Sequence, residues 1–127
     1  MRAKIREIIN SSKDTINLGE LNISDEEIEE IATLIVNTKP DTKEIFLNSN
    51  LLDNEGAQTL ATQFQTLKHL TILDLQSNHI DIEGAKAIYS LLKINPKLNI
   101  LFRDNNIQDV EVIDHIKNSY THSKKNM

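Results

Sequence analysis

The chain alternates between two hydrophobic periods. Residues 45–52 read apolar-x-apolar-x-x-Asn-x-apolar, and residues 73–80 repeat this pattern 28 positions later. In both places a period of two gives way to a period near 3.6, which is typical of a strand followed by an amphipathic helix. Gly56-Ala57 and Gly84-Ala85 keep the same offset. The chain is therefore predicted to contain a repeated strand–helix unit.

Two weaker copies of this unit flank the central pair. The upstream copy starts at Ile16, 29 positions before Ile45, and has Leu21 where the asparagine is expected. The downstream copy starts at Ile100. An offset of 27 positions places Ile100 and Phe102 on its apolar positions, whereas an offset of 28 would bury the guanidinium of Arg103. Because burying an unpaired charge is costly, we predict the shorter offset.

Polar residues mark where the predicted helices begin and end. Ser24-Asp25-Glu26-Glu27 has the spacing of a capping box, in which the serine and the second glutamate satisfy backbone N–H groups. Pro40 and Pro96 follow two of the predicted helices, at positions where a helix must stop. Side-chain N-caps are predicted for the other three helices at Asp53, Asp81 and Asp109.

One strand–helix unit cannot bury its apolar side alone, so neighbouring units are expected to stack. Asn50, Asn78 and Asn105 lie where the chain turns from strand toward helix, and their amides can bond backbone groups that the bend leaves unpaired. Isoleucine suits both the strands and the apolar helix faces. These two roles account for much of the 18 isoleucines and 14 asparagines in the chain.

Composition narrows the class of protein. With 127 residues and no cysteine, we expect one domain that packing alone stabilises, without disulfides or thiolate metal sites. A net charge of -5 argues against a nucleic-acid partner. Neither a transmembrane run nor a secretory signal is recognised, so we expect no membrane partner and a cytoplasmic location or delivery into a host cell.

The repeats resemble ribonuclease-inhibitor-type leucine-rich repeats, whose units are about 28 residues long. Each such unit carries a strand motif, an asparagine and a helix opened by Gly-Ala. The resemblance departs at Leu21 and at Val112, which stands where the glycine is expected. It implies an α/β fold, namely a short right-handed solenoid of about four repeats with a parallel β-sheet on the concave side and helices on the convex side. The predicted parts are a capping helix (1–14), four repeats (15–42, 43–70, 71–97 and 98–120, the last including a C-terminal cap from Val110 to Tyr120) and a flexible tail (121–127).

The resemblance also implies that a protein partner binds the concave face formed by the strands. We read the outward strand positions as rows across the sheet, with Glu20, Ser49, Ser77 and Asp104 at its border. Phe46 could act as an exposed anchor, be covered by the N-terminal segment or a loop, or be exposed without consequence. The candidate partner-binding residues are Asn17, Phe46, Asn48, Asp74, Gln76, Leu101 and Arg103.

Two details of this face stay open at the level of sequence. The orientation of Leu101 depends on the offset of the last repeat, and Arg103 could pair either with a partner or with Asp104. The acidic run around Asp25 is interpreted as a solvated helix start, favoured by the helix dipole. Four scattered histidines and isolated serines form no recognised metal or nucleophile motif. We therefore expect no cofactor, no metal and no catalytic residues.

Two functions remain compatible with the sequence. The first is a non-enzymatic interaction module that binds a protein through its concave face. The second is an assembly or adaptor protein that associates through its helical side or its terminal edges, with an undetermined oligomeric state. Short proteins of this type resemble effectors that bacteria deliver into host cells, and the same repeat type occurs in eukaryotic actin-capping proteins of the tropomodulin group.

Overall fold

The computed structural model describes residues 1–125, with side chains to Thr121. Short 3-10 turns follow the third and fourth helices at Phe64–Thr66 and Ser90–Lys93. The strands are β1 (Thr15–Asn17), β2 (Glu44–Phe46), β3 (Ile72–Asp74) and β4 (Asn99–Leu101). The helices are α1 (Ala3–Ser11), α2 (Asp25–Thr38), α3 (Asn54–Gln63), α4 (Ile82–Tyr89) and α5 (Val110–Lys125).

The four strands form one parallel sheet in chain order. The register pairs Ile16 with Ile45, Ile45 with Leu73, and Leu73 with Ile100. The last of these pairs confirms the shorter offset predicted for the fourth repeat. Each helix packs against the next helix along the chain. The predicted α/β solenoid of stacked strand–helix units is confirmed.

Isoleucine and leucine fill the space between the sheet and the helices. The inward strand residues Ile16, Ile45 and Leu73 and the helix residues Ile28 and Leu60 have no exposed surface. Burying one such side chain stabilises a fold by about 1.5–3 kcal/mol. A core that runs through all the repeats therefore provides the stability that disulfides provide in other small proteins.

Asn78 joins its repeat to the repeat before it. Its Oδ1 accepts the N–H of Leu52 at 3.0 Å, and its Nδ2 donates to the carbonyl of Leu47 at 3.0 Å. The amide thus satisfies buried backbone groups in the preceding repeat, as the sequence predicted for the turn asparagines. Equivalent bonds join Asn50 to Ile23 and Leu18, and Asn105 to Ile80 and Leu75.

The helix starts follow the predicted caps in three cases. Asp53, Asp81 and Asp109 each accept the N–H of the residue two positions on, at 3.2, 3.3 and 2.9 Å. These bonds satisfy N–H groups that have no partner within the helix.

The capping box predicted at the start of α2 is wrong. Ser24 occupies the N-cap position, but its side chain makes no capping hydrogen bond. Glu27, the expected reciprocal partner, instead forms an ion pair with Arg2 at 2.9 Å. A long-range contact with the N-terminal segment has replaced the local one.

The N-terminal end of the solenoid is closed by α1. Ile5 and Ile9 have no exposed surface, and Ile8 is half-buried. Because α1 is not a repeat, it presents no strand turn that would need an asparagine from the first repeat. This explains why the half-buried Leu21 stands at the asparagine position.

The C-terminal end is closed only in part. Helix α5 packs against α4 as the helix of the fourth repeat. It is longer than predicted and includes residues 121–125 of the expected tail, while residues 126 and 127 lie outside the described residues. A cavity of about 590 Å³ remains between α5 and the turn after β4. The predicted cap therefore leaves part of this end open.

Candidate functional site: the strand face

The outward side chains of the four strands form the surface that the sequence predicts as a partner-binding face. We call this surface the strand face. The strand register places its residues in two rows across the sheet. The first row is Thr15, Glu44, Ile72 and Asn99, and the second is Asn17, Phe46, Asp74 and Leu101. Beyond the strand ends lie Gly19, Asn48, Gln76 and Arg103, then Glu20, Ser49, Ser77 and Asp104.

Asp74 lies at the centre of the strand face and is almost fully buried, with 6% of its surface exposed. The outward strand position predicted for Asp74 is correct, but the side chain is buried on that face. Its Oδ1 accepts the N–H of Gln76 at 3.0 Å and the side-chain Nε2 of Gln76 at 3.2 Å. Phe46 and Leu101 flank it in the register, so larger neighbours shield this carboxylate from solvent.

Three apolar side chains lie on the strand face, and all three are half-buried: Phe46, Ile72 and Leu101. Neighbouring strands are ~4.8 Å apart and alternate residues along a strand ~7 Å apart, so the three lie around Asp74 within contact distance of one partner side chain. The confirmed register places Leu101 outward. Ile72 was not among the residues predicted for this face, because it precedes the repeat motif. Alternation from the inward Leu73 could have identified it.

Asparagine side chains shape one side of the strand face. The Oδ1 of Asn17 accepts the N–H of Gly19 at 3.1 Å. A β-carbon at position 19 would lie 2.7 Å from the side-chain oxygen of Asn48, so the amide of Asn48 rests directly on the glycine. Asn17 is exposed and Asn48 half-buried. Both predicted residues therefore belong to the strand face.

Arg103 is exposed and makes no ion pair with a charged side chain in the part of the chain that the structure describes. Of the two alternatives left open by the sequence, pairing with Asp104 is not seen. Asp104 instead accepts a hydrogen bond from Ser77 Oγ at 2.9 Å. The guanidinium of Arg103 is therefore available to a partner. Around it the strand face carries four carboxylates, those of Glu20, Glu44, Asp74 and Asp104.

The residues at the border of the strand face adopt left-handed backbone conformations. Glu20, Ser49, Ser77 and Asp104 have φ angles of 60°, 57°, 58° and 59°. A non-glycine residue in this region costs about 1 kcal/mol. The repetition of this conformation at one position in all four repeats shows that the bend after each strand requires it. The only sequence signal was that these four residues are all polar and none is β-branched.

A pair of carboxylates with shifted pKa values lies at the helix starts, outside the strand face. Asp25 accepts the N–H of Asp53 at 3.0 Å. Burial, followed by a hydrogen bond with the Asp53 side chain, raises the pKa of Asp25 to about 6. The same side-chain hydrogen bond lowers the pKa of Asp53. Both carboxylates bond backbone N–H groups at the junction of two repeats, so their role is explained by helix stacking.

The described residues contain neither a metal-binding cluster nor a membrane-spanning helix. No group of three or more His, Asp or Glu side chains there is arranged to hold a metal ion. No helix there is both long enough and apolar enough to cross a membrane.

Comparison with known proteins agrees with this architecture. The family described as "Leucine Rich repeat" matches residues 66–88. Among solved structures, "Leiomodin-1 Actin-Binding Site 2 (ABS2)" is similar over 96% of this chain and 89% of that chain, with a TM-score of 0.67 and 17% sequence identity. At this identity the likeness concerns the fold alone. No curated protein matches the chain.

The fold, the repeated strand–turn asparagine and these matches define a leucine-rich repeat solenoid. The chain therefore has a leucine-rich repeat fold, and the family match lies within it at residues 66–88. The ribonuclease-inhibitor subtype suggested by the repeat length remains a prediction.

Proposed function

We propose that the chain is a non-enzymatic interaction module that binds a protein partner on the strand face. The observation that carries this proposal is the cluster of Phe46, Ile72 and Leu101 on the solvent side of the sheet, around the buried Asp74. Apolar side chains that surround a desolvated polar group are typical of the centre of a protein interface. A partner would complete the burial that these side chains begin.

The charge of the strand face supports a basic partner surface. Four carboxylates oppose the single guanidinium of Arg103 on this face. Complementary charge speeds association and orients the partner more than it tightens binding. A lysine or arginine whose aliphatic stem lies on Phe46 or Leu101 would bring its charge close to Asp74.

The similar leiomodin-1 domain is described as an actin-binding site, which makes actin the first partner to test. The resemblance to bacterial effectors makes host proteins in general the second group. Both kinds of partner are consistent with a protein-binding strand face.

Variants of the strand face test this proposal. Phe46→Asp and Leu101→Asp place a charge within the apolar cluster and should weaken binding of actin, or of a partner captured from lysates, by about tenfold or more. Arg103→Glu should weaken binding further if the partner carries a carboxylate there. Ile94→Asp is the matched control, because Ile94 is an exposed apolar residue (47%) outside the strand face. Equal affinity of all variants, with the fold intact, would exclude the strand face as the binding surface.

The alternative is an assembly or adaptor protein that associates through its ends or its helices. Within this alternative, association through the ends is better supported than association through the helical side, because the C-terminal end is partly open. A monomeric mass by light scattering at high concentration would exclude self-assembly.

A further inference from the structure

Besides the bonds between paired strand residues, each inner repeat donates three backbone N–H groups to the repeat that follows it. In the third repeat, Leu75 donates to the carbonyl of Leu101 at 2.8 Å, and Ser77 donates to the carbonyl of Arg103 at 2.9 Å. Ile80 donates to the side chain of Asn105 at 3.0 Å. Each inner repeat therefore needs three hydrogen-bond acceptors from the next repeat. The equivalent donors in the second repeat are Leu47, Ser49 and Leu52.

The fourth repeat presents the same three donors, and no further strand follows β4 among residues 1–125. The register between β3 and β4 identifies them as the N–H groups of Phe102, Asp104 and Ile107. Within the part of the chain that the structure describes, none of the three donates to a protein acceptor. The free edge of β4 therefore offers a row of backbone donors, whereas the equivalent donors of the inner repeats are hydrogen-bonded.

The C-terminal cavity lies directly beside these donors. Its volume is about 590 Å³, and Phe102, Asp104 and Ile107 all line it. Tyr89 and Phe102 form an aromatic wall, with ring centroids 5.8 Å apart. Val110, at the start of α5, is 73% exposed at the cavity. The cavity is large enough for the side chains of a short segment, and its apolar wall suits aliphatic or aromatic groups.

Carboxylates outnumber positive side chains by two to one among the residues that line the cavity. Asp104 and Asp114 line it, and Arg103 is the one positive side chain among its lining residues. The carboxylate of Asp114 is close enough to Tyr89 that, after burial, it contributes to raising the pKa of the tyrosine to about 12. A second copy of the chain docked on this end would bring like charges together. A basic partner segment would meet opposite charges instead.

We propose that the C-terminal end of the solenoid is a second binding site, which takes an extended segment of a partner protein with alternating apolar residues and flanking lysine or arginine. The segment adds a fifth strand beside β4 and accepts the N–H groups of Phe102, Asp104 and Ile107. One of its apolar side chains enters the cavity against Phe102 and Tyr89. This site adjoins the strand face at Arg103 and Asp104, but it does not depend on the function proposed for that face.

The chain itself supplies the probe. A synthetic peptide of residues 71–80, with two lysines added at each end, has the sequence that pairs with β2 inside the solenoid. In the free protein, the amides of Phe102, Asp104 and Ile107 should exchange with deuterium faster than those of Leu75 and Ile80. Saturating peptide should slow their exchange by about tenfold or more and shift their NMR signals. We expect a dissociation constant on the order of 0.1 mM, as befits a short flexible peptide.

Peptide variants and protein variants test the apolar contact and the charge attraction separately. Peptides with aspartate in place of Leu73 and Leu75, or with glutamate flanks, should bind at least about tenfold more weakly. Val110→Ser should weaken binding of the lysine-flanked peptide, whereas Ile94→Ser, also at an exposed apolar site, should not. Asp114→Asn should weaken it as well, with the exposed Asp41→Asn as the matched control.

Four outcomes would overturn the proposal. One is the absence of any shift in the three amides up to about 1 mM peptide. Another is that these amides are already protected in the free chain, which would show that the end is covered. Self-association that protects the same amides would identify a second copy as the occupant. Shifts confined to Phe46, Asp74 and their neighbours would place the peptide on the strand face.

Discussion

The side chain of Asn54 and the backbone of Gly84 fit together across the boundary between two repeats. Asn54 Oδ1 accepts the N–H of Gly84 at 2.9 Å, and a β-carbon at position 84 would lie 2.6 Å from that oxygen. None of the glycines has a positive φ angle. The glycine of the helix start is thus required by close contact with the preceding repeat, not by its backbone conformation. Gly56 has the same relationship with Asp25.

Gly84→Ala should destabilise the fold by about 2 kcal/mol, although alanine favours helices over glycine by about 1 kcal/mol. The new β-carbon would meet the fixed Asn54 oxygen and, at 2.5 Å, the branched side chain of Ile80. Urea unfolding measures the change. Gly19→Ala is the control, because the only close atoms there belong to the Asn48 side chain, which can rotate. A stabilising Gly84→Ala would contradict the explanation of the repeat glycine.

A third contact of this kind can be built at the last repeat boundary. Ile82 occupies the position of Asn54, and Val112 occupies that of Gly84. Ile82→Asn alone should not stabilise the chain, since the Val112 side chain blocks the amide. Ile82→Asn combined with Val112→Gly should show a favourable coupling of about 1 kcal/mol in a double-mutant cycle of unfolding free energies. Strict additivity would argue against the proposed pairing of positions.

Asn78→Ala should destabilise the fold by about 3 kcal/mol or more. The substitution leaves the buried N–H of Leu52 and the carbonyl of Leu47 without their partner. Asn105→Ala should cost less, because Asn105 is half-buried at the last repeat while Asn78 is 3% exposed. Chemical denaturation of the two variants gives the comparison. An equal or larger loss at Asn105 would show that burial does not determine the cost.

Asp25→Asn should make the stability less sensitive to pH. The folded chain raises the pKa of Asp25 from 3.8 to about 6, so it binds this proton more tightly than the unfolded chain does. The unfolding free energy of the native protein should therefore fall as the pH rises from about 4 through about 6. The variant keeps an acceptor for the Asp53 N–H, as Asn54 does for Asp81, and avoids this loss.

The stabilisation by Asp25→Asn should be near zero at pH 4 and reach roughly 1 kcal/mol at pH 7, because solvent screens a partly exposed group. Thermal or urea unfolding across this pH range tests it. Asp53 acts in the opposite sense, since its pKa is lowered and its contribution is lost on acidification. If the variant gained stability at pH 4 but not at pH 7, the pH dependence of its unfolding free energy would be opposite to the one predicted.

The sequence predicted the features that depend on repetition. The repeat period located the strands, and the cost of burying Arg103 selected the shorter last offset, which the sheet confirms. The turn asparagines and the three aspartate caps were also predicted correctly, because each is a local residue with one physical role.

Features that depend on neighbours in space were missed. Asp74 is buried between Phe46 and Leu101, its register partners on the two neighbouring strands, and no local pattern encodes this burial. The predicted capping box does not form, and the Glu27 side chain pairs instead with Arg2 from another segment of the chain. All the predicted partner-binding residues lie on the strand face, and their contact with a partner stays a prediction.

The affinity of a partner for native protein, Phe46→Asp and Ile94→Asp tests the central claim most directly. Isothermal titration with actin, or with a partner captured by the native protein, should give binding about tenfold or more weaker for Phe46→Asp and unchanged for Ile94→Asp. Thermal unfolding should first establish that both variants are folded. Unchanged affinity for a folded Phe46→Asp variant, whatever the result for Ile94→Asp, would contradict binding at the strand face.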